Sequence, residues 1–596
     1  MAGRPDSALS ALPRNRSERG FVVWDTFELY LIITVLIGRR LEHMQGLIGG
    51  TGAVVERVRR TVESTWLEVR AARALVQAGV LEIGNPGRLK AAGKILGEYG
   101  PVGAAPRVAA LRHGPRVAIV DDSGQLTFDE LEEQVNRLTN AFRGRGFGYG
   151  TVVGILCRNH RWPLITAFAA SRAGMTVVWL NTGFSARQAG EVAEREGIDV
   201  VVYDADLADT AAPIRATGGR FAVAVDDPTA NELLVLTAAA SPQLPPPPDR
   251  QGRMVQLTSG TTGLPKGAPR PDPRSLTIPG GLLERLPMRA HEATVVAPPL
   301  FHGTGLVIAL LSISLGSTLV LRRRFDAEQV LADVARFRAT TVCAVPVMLA
   351  RIVALDTQVV GSYDTSSLRV MFCAGSALPA SVTRKATHLF GDVVYNLYGS
   401  TEVSVTAIAT PADLAIAATS VGKPVLGANV RILDADGTRL PAGQVGRIFV
   451  SSTAPFEGYT GGGGKEIVDG MLSTGDLGHL DKDGRLYIDG RDDEMIVSGG
   501  ENVFPREVED LLVTHPAIVE AAVLGVPDEE YGQRLRAFVV AAPAGGIDAD
   551  TVRTFVKENL ARFKAPRDVV FVAELPRNPM GKVLKRELAT LAGDQA

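Results

Sequence analysis

The sequence predicts a layered α/β protein that carries a small β-rich subdomain and ends in a small α+β domain, on three observations. At 596 residues the chain exceeds the size at which one hydrophobic core keeps growing, so two or more domains are expected. From Arg116 onward, short apolar runs alternate with amphipathic helical stretches, the pattern of parallel strands covered by helices. After Gly422 the text changes to short strands joined by Asp-Gly turns, as in antiparallel hairpins.

Residues 1–100 stand outside this pattern as an N-terminal extension. Their apolar segment, 21–38, holds an uncharged run from Leu29 to Ile37 followed by Arg39 and Arg40. A membrane span needs about 20 apolar residues, and this shorter run opens with Asp25 and Glu28, which disfavours a full crossing. Leu29, Ile32, Ile33, Leu36 and Ile37 share one helical face. Two readings stay open for residues 21–40: an in-plane contact with a membrane surface, or an extra helix packed on the main domain or a second subunit. No small-residue cleavage site follows, which argues against a secretory signal.

The large domain is expected over residues 101–490. Val117–Val120 and Leu126–Phe128 read as strands, and Asp129-Glu130-Leu131 opens a helix through Phe142. Val152–Cys157, Thr176–Leu180 and Val200–Tyr203 read as further buried strands. Ser241–Asp249, with five prolines, is a stiff connector, and Met254–Leu257 is a strand that feeds a loop at a sheet edge. The β-rich subdomain spans about 423–490, with turns at Asp434–Gly437 and Asp481–Gly484. Residues 491–596, with helices over Pro505–Leu512 and Thr551–Leu560, form the C-terminal α+β domain.

Composition narrows the function classes. A net charge of −2 offers no footprint for nucleic acid. Cys157, Cys343 and Cys373 are far apart in apolar settings, which fits core residues in a reducing cytoplasm rather than a disulfide framework or zinc site.

The most informative stretch is Thr258-Ser259-Gly260-Thr261-Thr262-Gly263-Leu264-Pro265-Lys266-Gly267. Its glycines free the backbone, four hydroxyls supply short donors and Lys266 adds a mobile positive charge, which is phosphate-handling chemistry. It is not a P-loop: Pro265 replaces the glycine before the lysine, Gly267 replaces the hydroxyl residue, and Pro269, Pro271 and Pro273 forbid a following helix.

This loop resembles the signature of the adenylate-forming superfamily of acyl- and aryl-coenzyme A ligases, luciferases and adenylation domains. The family's other motifs follow in order: Pro299-Leu300-Phe301-His302-Gly303, Ala374-Gly375-Ser376-Ala377-Leu378-Pro379, Tyr398-Gly399-Ser400-Thr401-Glu402 and Ser473-Thr474-Gly475-Asp476. Gly490-Arg491-Asp492-Asp493-Glu494, Ser498-Gly499-Gly500-Glu501-Asn502-Val503 and Asn578-Pro579-Met580-Gly581-Lys582 complete the series. Together they span Arg116 to Leu588.

The resemblance implies ATP, Mg²⁺ and coenzyme A as co-substrates and metal, and a C-terminal domain that moves between two poses. It implies that Thr258, Ser259, Gly260, Thr261, Thr262, Gly263 and Lys266 hold the β and γ phosphates. Tyr398 would lie against adenine with Gly375 and Ser376 lining that pocket, and Asp476 would take the ribose hydroxyls with Arg491 beside it. Thr401 would stand near the α-phosphate, Glu402 would bind magnesium and Lys582 would reach the α-phosphate and substrate carboxylate. His302 would gate or position the acid, Asp493 would be the hinge, and Gly499 and Gly500 would line the pantetheine channel. No other histidine of the eight stands in a recognisable constellation.

The tail motif resembles acyl-coenzyme A synthetases, which favours coenzyme A as acceptor, and an apolar N-terminal anchor would suit an enzyme that takes fatty acids from a membrane, so the expected reaction is that of a bacterial fatty-acyl-coenzyme A synthetase, ligation of a medium- to long-chain fatty acid to coenzyme A. Apolar stretches Val307–Leu311, Val342–Met348 and Val403–Ile408 suit an acyl tunnel and equally a core. Rival readings are a fatty-acyl-AMP ligase loading a separate carrier protein, an aryl-acid ligase, and a silent membrane-tethered nucleotide-binding protein. The chain departs from the family in Ala268–Arg274, which lacks a histidine that many relatives carry, and in its N-terminal extension.

Overall fold

The computed structural model describes residues 51–258, 265–270, 275–453, 456–498, 501–528, 531–543, 546–578 and 581–591. The apolar segment 21–38 lies outside them, as do Ser259, Gly260, Thr261, Thr262, Gly263, Gly499 and Gly500. Among the described residues no helix is long and apolar enough to cross a membrane.

Two long helices, Thr51–Ala78 and Pro86–His113, precede the first strand and pack on the large domain. The second contains residue 100, so a domain edge drawn there falls inside a helix; only a kink at Gly100 (φ 71°) marks the place. Fully buried Arg172 ties this helix in, because its Nε donates to the Gly103 carbonyl at 3.0 Å and its two Nη groups reach the Glu132 carboxylate at 2.8 and 3.0 Å. A buried guanidinium persists only when paired in this way.

Nine strands form the first sheet, in the order Lys423–Pro424, Ser404–Ala409, Val394–Ser400, Val370–Ala374, Thr341–Ala344, Ala293–Val296, Thr318–Leu321, Val117–Asp121 and Gly124–Thr127. The strands from Val394–Ser400 through Val117–Asp121 are parallel, and hairpins close both edges. The second sheet runs Gly219–Val223, Val200–Asp204, Val152–Leu156, Thr176–Trp179, Met254–Leu257, Gly267–Arg270, with only the last strand antiparallel. Central strands such as Ala293–Val296 and Thr341–Ala344 are buried at every residue, the reason they read as continuous apolar runs. Helices begin where hydroxyl residues can cap them: Thr127 with Glu130, and Ser185 with Gln188, form reciprocal capping boxes.

The β-rich subdomain is a five-stranded antiparallel sheet of Asn429–Leu433, Gly446–Ser451, Ile467–Val468, Met471–Leu480 and Leu486–Arg491. It therefore starts later than residue 423, since Lys423–Pro424 pairs back onto Ser404–Ala409 as the edge of the nine-stranded sheet, a position that tolerates proline. It also ends one residue later, with Arg491 closing its last strand.

The 3₁₀ turn Asp492–Glu494 leads into the C-terminal domain, where helices Pro505–Leu512 and Ala549–Asn559 share a core with the strands Ile496–Ser498, Ile518–Asp528, Gly532–Ala541 and Asp568–Phe571. That turn is anchored on both sides: Asp492 pairs with Arg447 of the β-rich sheet at 3.5 Å, and Glu494 pairs with Lys585 of the tail at 2.9 Å.

Candidate active site

Parallel strands present their C-terminal ends along one edge of a sheet, where loops can converge. The neighbouring strands Ala293–Val296, Thr341–Ala344, Val370–Ala374 and Val394–Ser400 lead respectively to His302, Val347, Gly375–Ser376 and Thr401–Glu402. The second sheet joins them there. Asn159, buried just past Val152–Leu156, donates to the Pro298 carbonyl at 2.8 Å and accepts from Leu300 N–H at 2.9 Å. Gln256, in the strand that feeds the phosphate loop, approaches Gly303 so closely that a Cβ there would lie 3.1 Å from its Oε1. The loop thus joins the penultimate and edge strands of its sheet, with Thr258 N–H donating to the Lys266 carbonyl at 2.8 Å across its base.

Three predicted residues form one network. Tyr398 Oη donates to Asp476 Oδ2 at 2.5 Å, and Arg491 Nη1 donates to Asp476 Oδ1 at 3.2 Å. Asp476 and Arg491 are cross-strand partners of the β-rich sheet, whereas Tyr398 comes from the nine-stranded one. Burial and the Asp476 charge push the Tyr398 phenol well above its ordinary range, so it remains a donor. Each Asp476 oxygen keeps a lone pair for a further donor. Gly375 (φ 98°) and Ser376 follow their strand directly, Gly375 exposed and Ser376 half-buried.

A second network surrounds Glu402. The strand Val394–Ser400 turns back after Gly399, where the Ser404 carbonyl comes so near that a Cβ would sit 2.0 Å from it, and only glycine fits. In that turn Ser400 Oγ donates to Glu402 Oε2 at 2.8 Å and Tyr459 Oη donates to Oε1 at 2.6 Å. Burial alone would raise the carboxyl's pKa, but the Tyr459 and Ser400 hydrogen bonds and the Lys465 charge outweigh it and hold the group below the usual range. Thr401, half-buried, lies between Ser400 and Glu402. Lys266 Nζ stands 5.4 Å from the Tyr459 ring centroid, a cation–π distance. Lys465 donates to the Thr474 carbonyl at 3.4 Å, beside Gly475 and Asp476.

His302 stands at the start of helix Gly303–Ser314, its ring 4.5 Å from Phe301. Its Nε2 is buried without a hydrogen-bond partner among the described residues, and burial lowers its pKa to about 4. The imidazole is therefore neutral at physiological pH.

Lys582 arrives from the C-terminal domain on a turn in which Asn578 Oδ1 accepts its backbone N–H at 2.9 Å. Gly581 (φ 73°) presses that turn against the large domain, for a Cβ there would lie 2.1 Å from Val347 Cγ1. Asp493 falls inside the 3₁₀ turn between the domains.

The sequence reading passed over Tyr459, Lys465, Gln256 and Asn159. Gly458-Tyr459 beside the glycines 461–464 was the one available signal, and it resembles an ordinary turn. It read Cys157 as a core residue and passed over His160 and Asp204, whose ligand atoms lie within 4.8 Å of its thiol and of one another. Their donors are already used. His160 Nδ1 accepts from Trp162 N–H at 3.3 Å, which leaves Nε2–H to donate to Asp204 at 2.7 Å, and burial keeps the Cys157 thiol protonated. This cluster is a buried structural network rather than a metal site. The three cysteines are free and buried, as expected of core residues. Much of the expected acyl wall is also core, with Ile308, Ala309, Val342, Ala344, Val345, Ala407 and Ile408 fully buried.

Comparison with known families matches residues 107–460 to the AMP-binding enzyme domain and 507–582 to the AMP-binding enzyme C-terminal domain. The chain belongs to the AMP-binding enzyme family. It is similar to the fatty acid–[acyl-carrier-protein] ligase ScoC of Streptomyces coeruleorubidus, 30% identical over 80% of this chain and 94% of that protein. The sulfoacetate–CoA ligase of Cupriavidus necator is 34% identical over 81% of this chain and 96% of its own. Among solved structures, ATP-bound MatB from Rhodopseudomonas palustris superposes with a TM-score of 0.73 at 28% identity, covering 80% of this chain and 96% of that one. This AMP-binding enzyme is accordingly an adenylate-forming acid–thiol ligase, with ATP and Mg²⁺ as nucleotide and metal and coenzyme A as the family's usual thiol.

Proposed function

We propose that the enzyme converts a medium- to long-chain fatty acid to its acyl-adenylate and then to the coenzyme A thioester. The observation that carries this reading is the convergence of the Tyr398–Asp476–Arg491 network, the ionised Glu402 and the docked Lys582 turn on the C-terminal edge of one sheet. Support for an alkyl substrate comes from helix Gly303–Ser314, which is largely apolar, is only partly buried at Val307 and Leu310, and starts at neutral His302.

In the first half-reaction a carboxylate oxygen attacks the α-phosphorus of ATP, a new P–O bond forms, and pyrophosphate leaves with the electrons of the broken bond. Asp476 accepts from the ribose hydroxyls while Arg491 and Tyr398 keep it oriented, and the Tyr398 ring lies against adenine. Thr258 and Lys266, with Ser259, Gly260, Thr261, Thr262 and Gly263, hold the outer phosphates. Glu402 suits magnesium, because one ionised carboxylate with free lone pairs is adequate when phosphates and water complete the shell. The ion, when bound, neutralises the triphosphate. Lys582 and Thr401 stabilise charge developing at the α-phosphate.

In the second half-reaction the thiol attacks the acyl carbon, AMP departs, and the thiol proton passes to solvent. The tail rotates at Asp493 for this step, and Gly499 and Gly500 admit the pantetheine arm. In this reading the extension includes the helix Pro86–His113, which packs on the large domain, the large domain ends with Arg491 and the lid begins at Asp492.

A second reading, transfer to a carrier protein, is favoured by the similarity to ScoC. The deciding experiment incubates the full chain with ATP, Mg²⁺ and acids of varied chain length and aromatic type, each alone, with coenzyme A, or with holo carrier protein. Mass spectrometry should find an alkyl thioester that depends on coenzyme A. An acyl-adenylate that only carrier protein consumes would establish the second reading, and turnover of aryl acids alone would replace the fatty acid.

A further inference from the structure

Tyr459 stands where three segments of the molecule meet. Its phenol donates to the Glu402 carboxylate at 2.6 Å, and its ring face lies 5.4 Å from the Lys266 ammonium at the exit of the phosphate loop. Phe456 packs edge-on against the same ring, with centroids 4.8 Å apart.

The backbone around it is pinned. Tyr459 N–H donates to the Gly463 carbonyl at 3.2 Å, and Gly462 N–H returns to the Tyr459 carbonyl at 3.1 Å. Next to it, Thr460 grips the loop's last residue: its N–H donates to the Gly267 carbonyl at 2.9 Å and its Oγ1 accepts from Gly267 N–H at 2.9 Å. The Thr460 hydroxyl then donates to Glu196 Oε1 at 2.7 Å, a carboxylate whose side chain is 2% exposed. Arg195, next in sequence to Glu196, donates to the Pro265 carbonyl. A surface tyrosine would swing freely, but this one is held at its ring, its backbone and its neighbour.

We propose that Tyr459 is a positioning residue that fixes the Glu402 carboxylate for magnesium and seats Lys266 beside it, so that the metal and loop halves of the triphosphate site are aligned before ATP arrives. The inference rests on the reading of Glu402 as the magnesium ligand. Outer partners that orient a metal-binding carboxylate typically change affinity by about 10–100-fold when removed. The alternative is that Tyr459 only fills space against Phe456.

The test measures Mn²⁺ binding by electron paramagnetic resonance on the full chain saturated with a non-hydrolysable ATP analogue, and analogue binding by calorimetry in EDTA. Tyr459→Phe keeps the ring and loses the hydroxyl, and should weaken Mn²⁺ by about tenfold or more while leaving metal-free nucleotide affinity unchanged. Tyr459→Leu also loses the ring, and should in addition weaken metal-free nucleotide binding because Lys266 is no longer seated. Metal-free binding by Tyr459→Phe doubles as the check that the variant is folded. Wild-type Mn²⁺ affinity in Tyr459→Phe, with loss of Mn²⁺ in Glu402→Gln, would overturn the role of Tyr459 alone. Unchanged Mn²⁺ affinity in Glu402→Gln would instead overturn the magnesium reading, and this inference with it.

Discussion

Tyr398, Asp476 and Arg491 are bonded to one another within the protein, and Glu402 is braced from two sides, whereas Lys582 rides on a turn from another domain, where Gly581 packs against Val347. The first half of the site is preorganised by strands, and its groups lose little freedom on binding. The second half is delivered by docking, so its contribution depends on the fit between two domains. Catalysis gains most from groups already aimed at developing charge, and a delivered lysine reaches that condition only in the docked pose.

The largest effect should come from the delivered half. Lys582→Ala is expected to slow pyrophosphate release by about 10²–10³-fold while thioester formation from supplied acyl-adenylate stays intact. Equal losses in both half-reactions would erase the distinction between the halves. Gly581→Ala attacks the same half without touching the lysine: its new Cβ would lie 2.1 Å from Val347 at a φ of 73° that disfavours alanine. Adenylation should fall by about tenfold, or about 1.4 kcal/mol, and Val347→Ala in the double variant should recover part of it if the seat matters as such.

The preorganised half should show itself in binding. Asp476→Asn is expected to raise KM for ATP by about tenfold, and Tyr398→Phe by a smaller factor, in line with losing one hydrogen bond to a charged group. A fall in kcat with KM unchanged in both variants would mean that this network, too, acts only in the transition state.

Acid should act on stability alone. His302 binds its proton less tightly in the folded chain, with a pKa of about 4 against an ordinary value near 6.5. The unfolded chain therefore holds more protons between those values, so this contribution to stability is complete above about pH 6.5 and is lost as pH falls toward 4. Between pH 7 and 5 the wild type should lose about 1–2 kcal/mol more than His302→Asn in urea unfolding, since buried His113 titrates alike in both. Above pH 6.5 the two proteins should run parallel.

The elements that carry short-range signals were legible in the sequence. The central strands are continuous apolar runs, Met254–Leu257 is apolar apart from Gln256, the Asp481–Gly484 turn closes its hairpin, and Pro269 follows the phosphate loop in a strand rather than a helix. What escaped depends on distant pairing. Lys423–Pro424 looks like the start of the β-rich subdomain until it is seen paired to Ala407 and Ile408. Tyr459 finds Glu402 across 57 residues, and Asn159 finds Pro298 across 139, so neither has a local pattern to betray it. His160 shows the converse, since its neighbours hide a satisfied network behind a ligand-like grouping.

The ion pairs on either side of Asp493 bear on the timing of the reaction. Asp492 is tethered to the β-rich sheet through Arg447 and Glu494 to the tail through Lys585, which leaves essentially one residue's two soft dihedrals between the tethers. If the lid turns at Asp493 as proposed, so narrow a pivot makes it a turnstile, and the Lys582 turn leaves its seat at Val347 whenever the lid rotates. In the proposed mechanism thiol entry would then wait until adenylation is complete, and the order of the two half-reactions would follow from the mechanics of the chain.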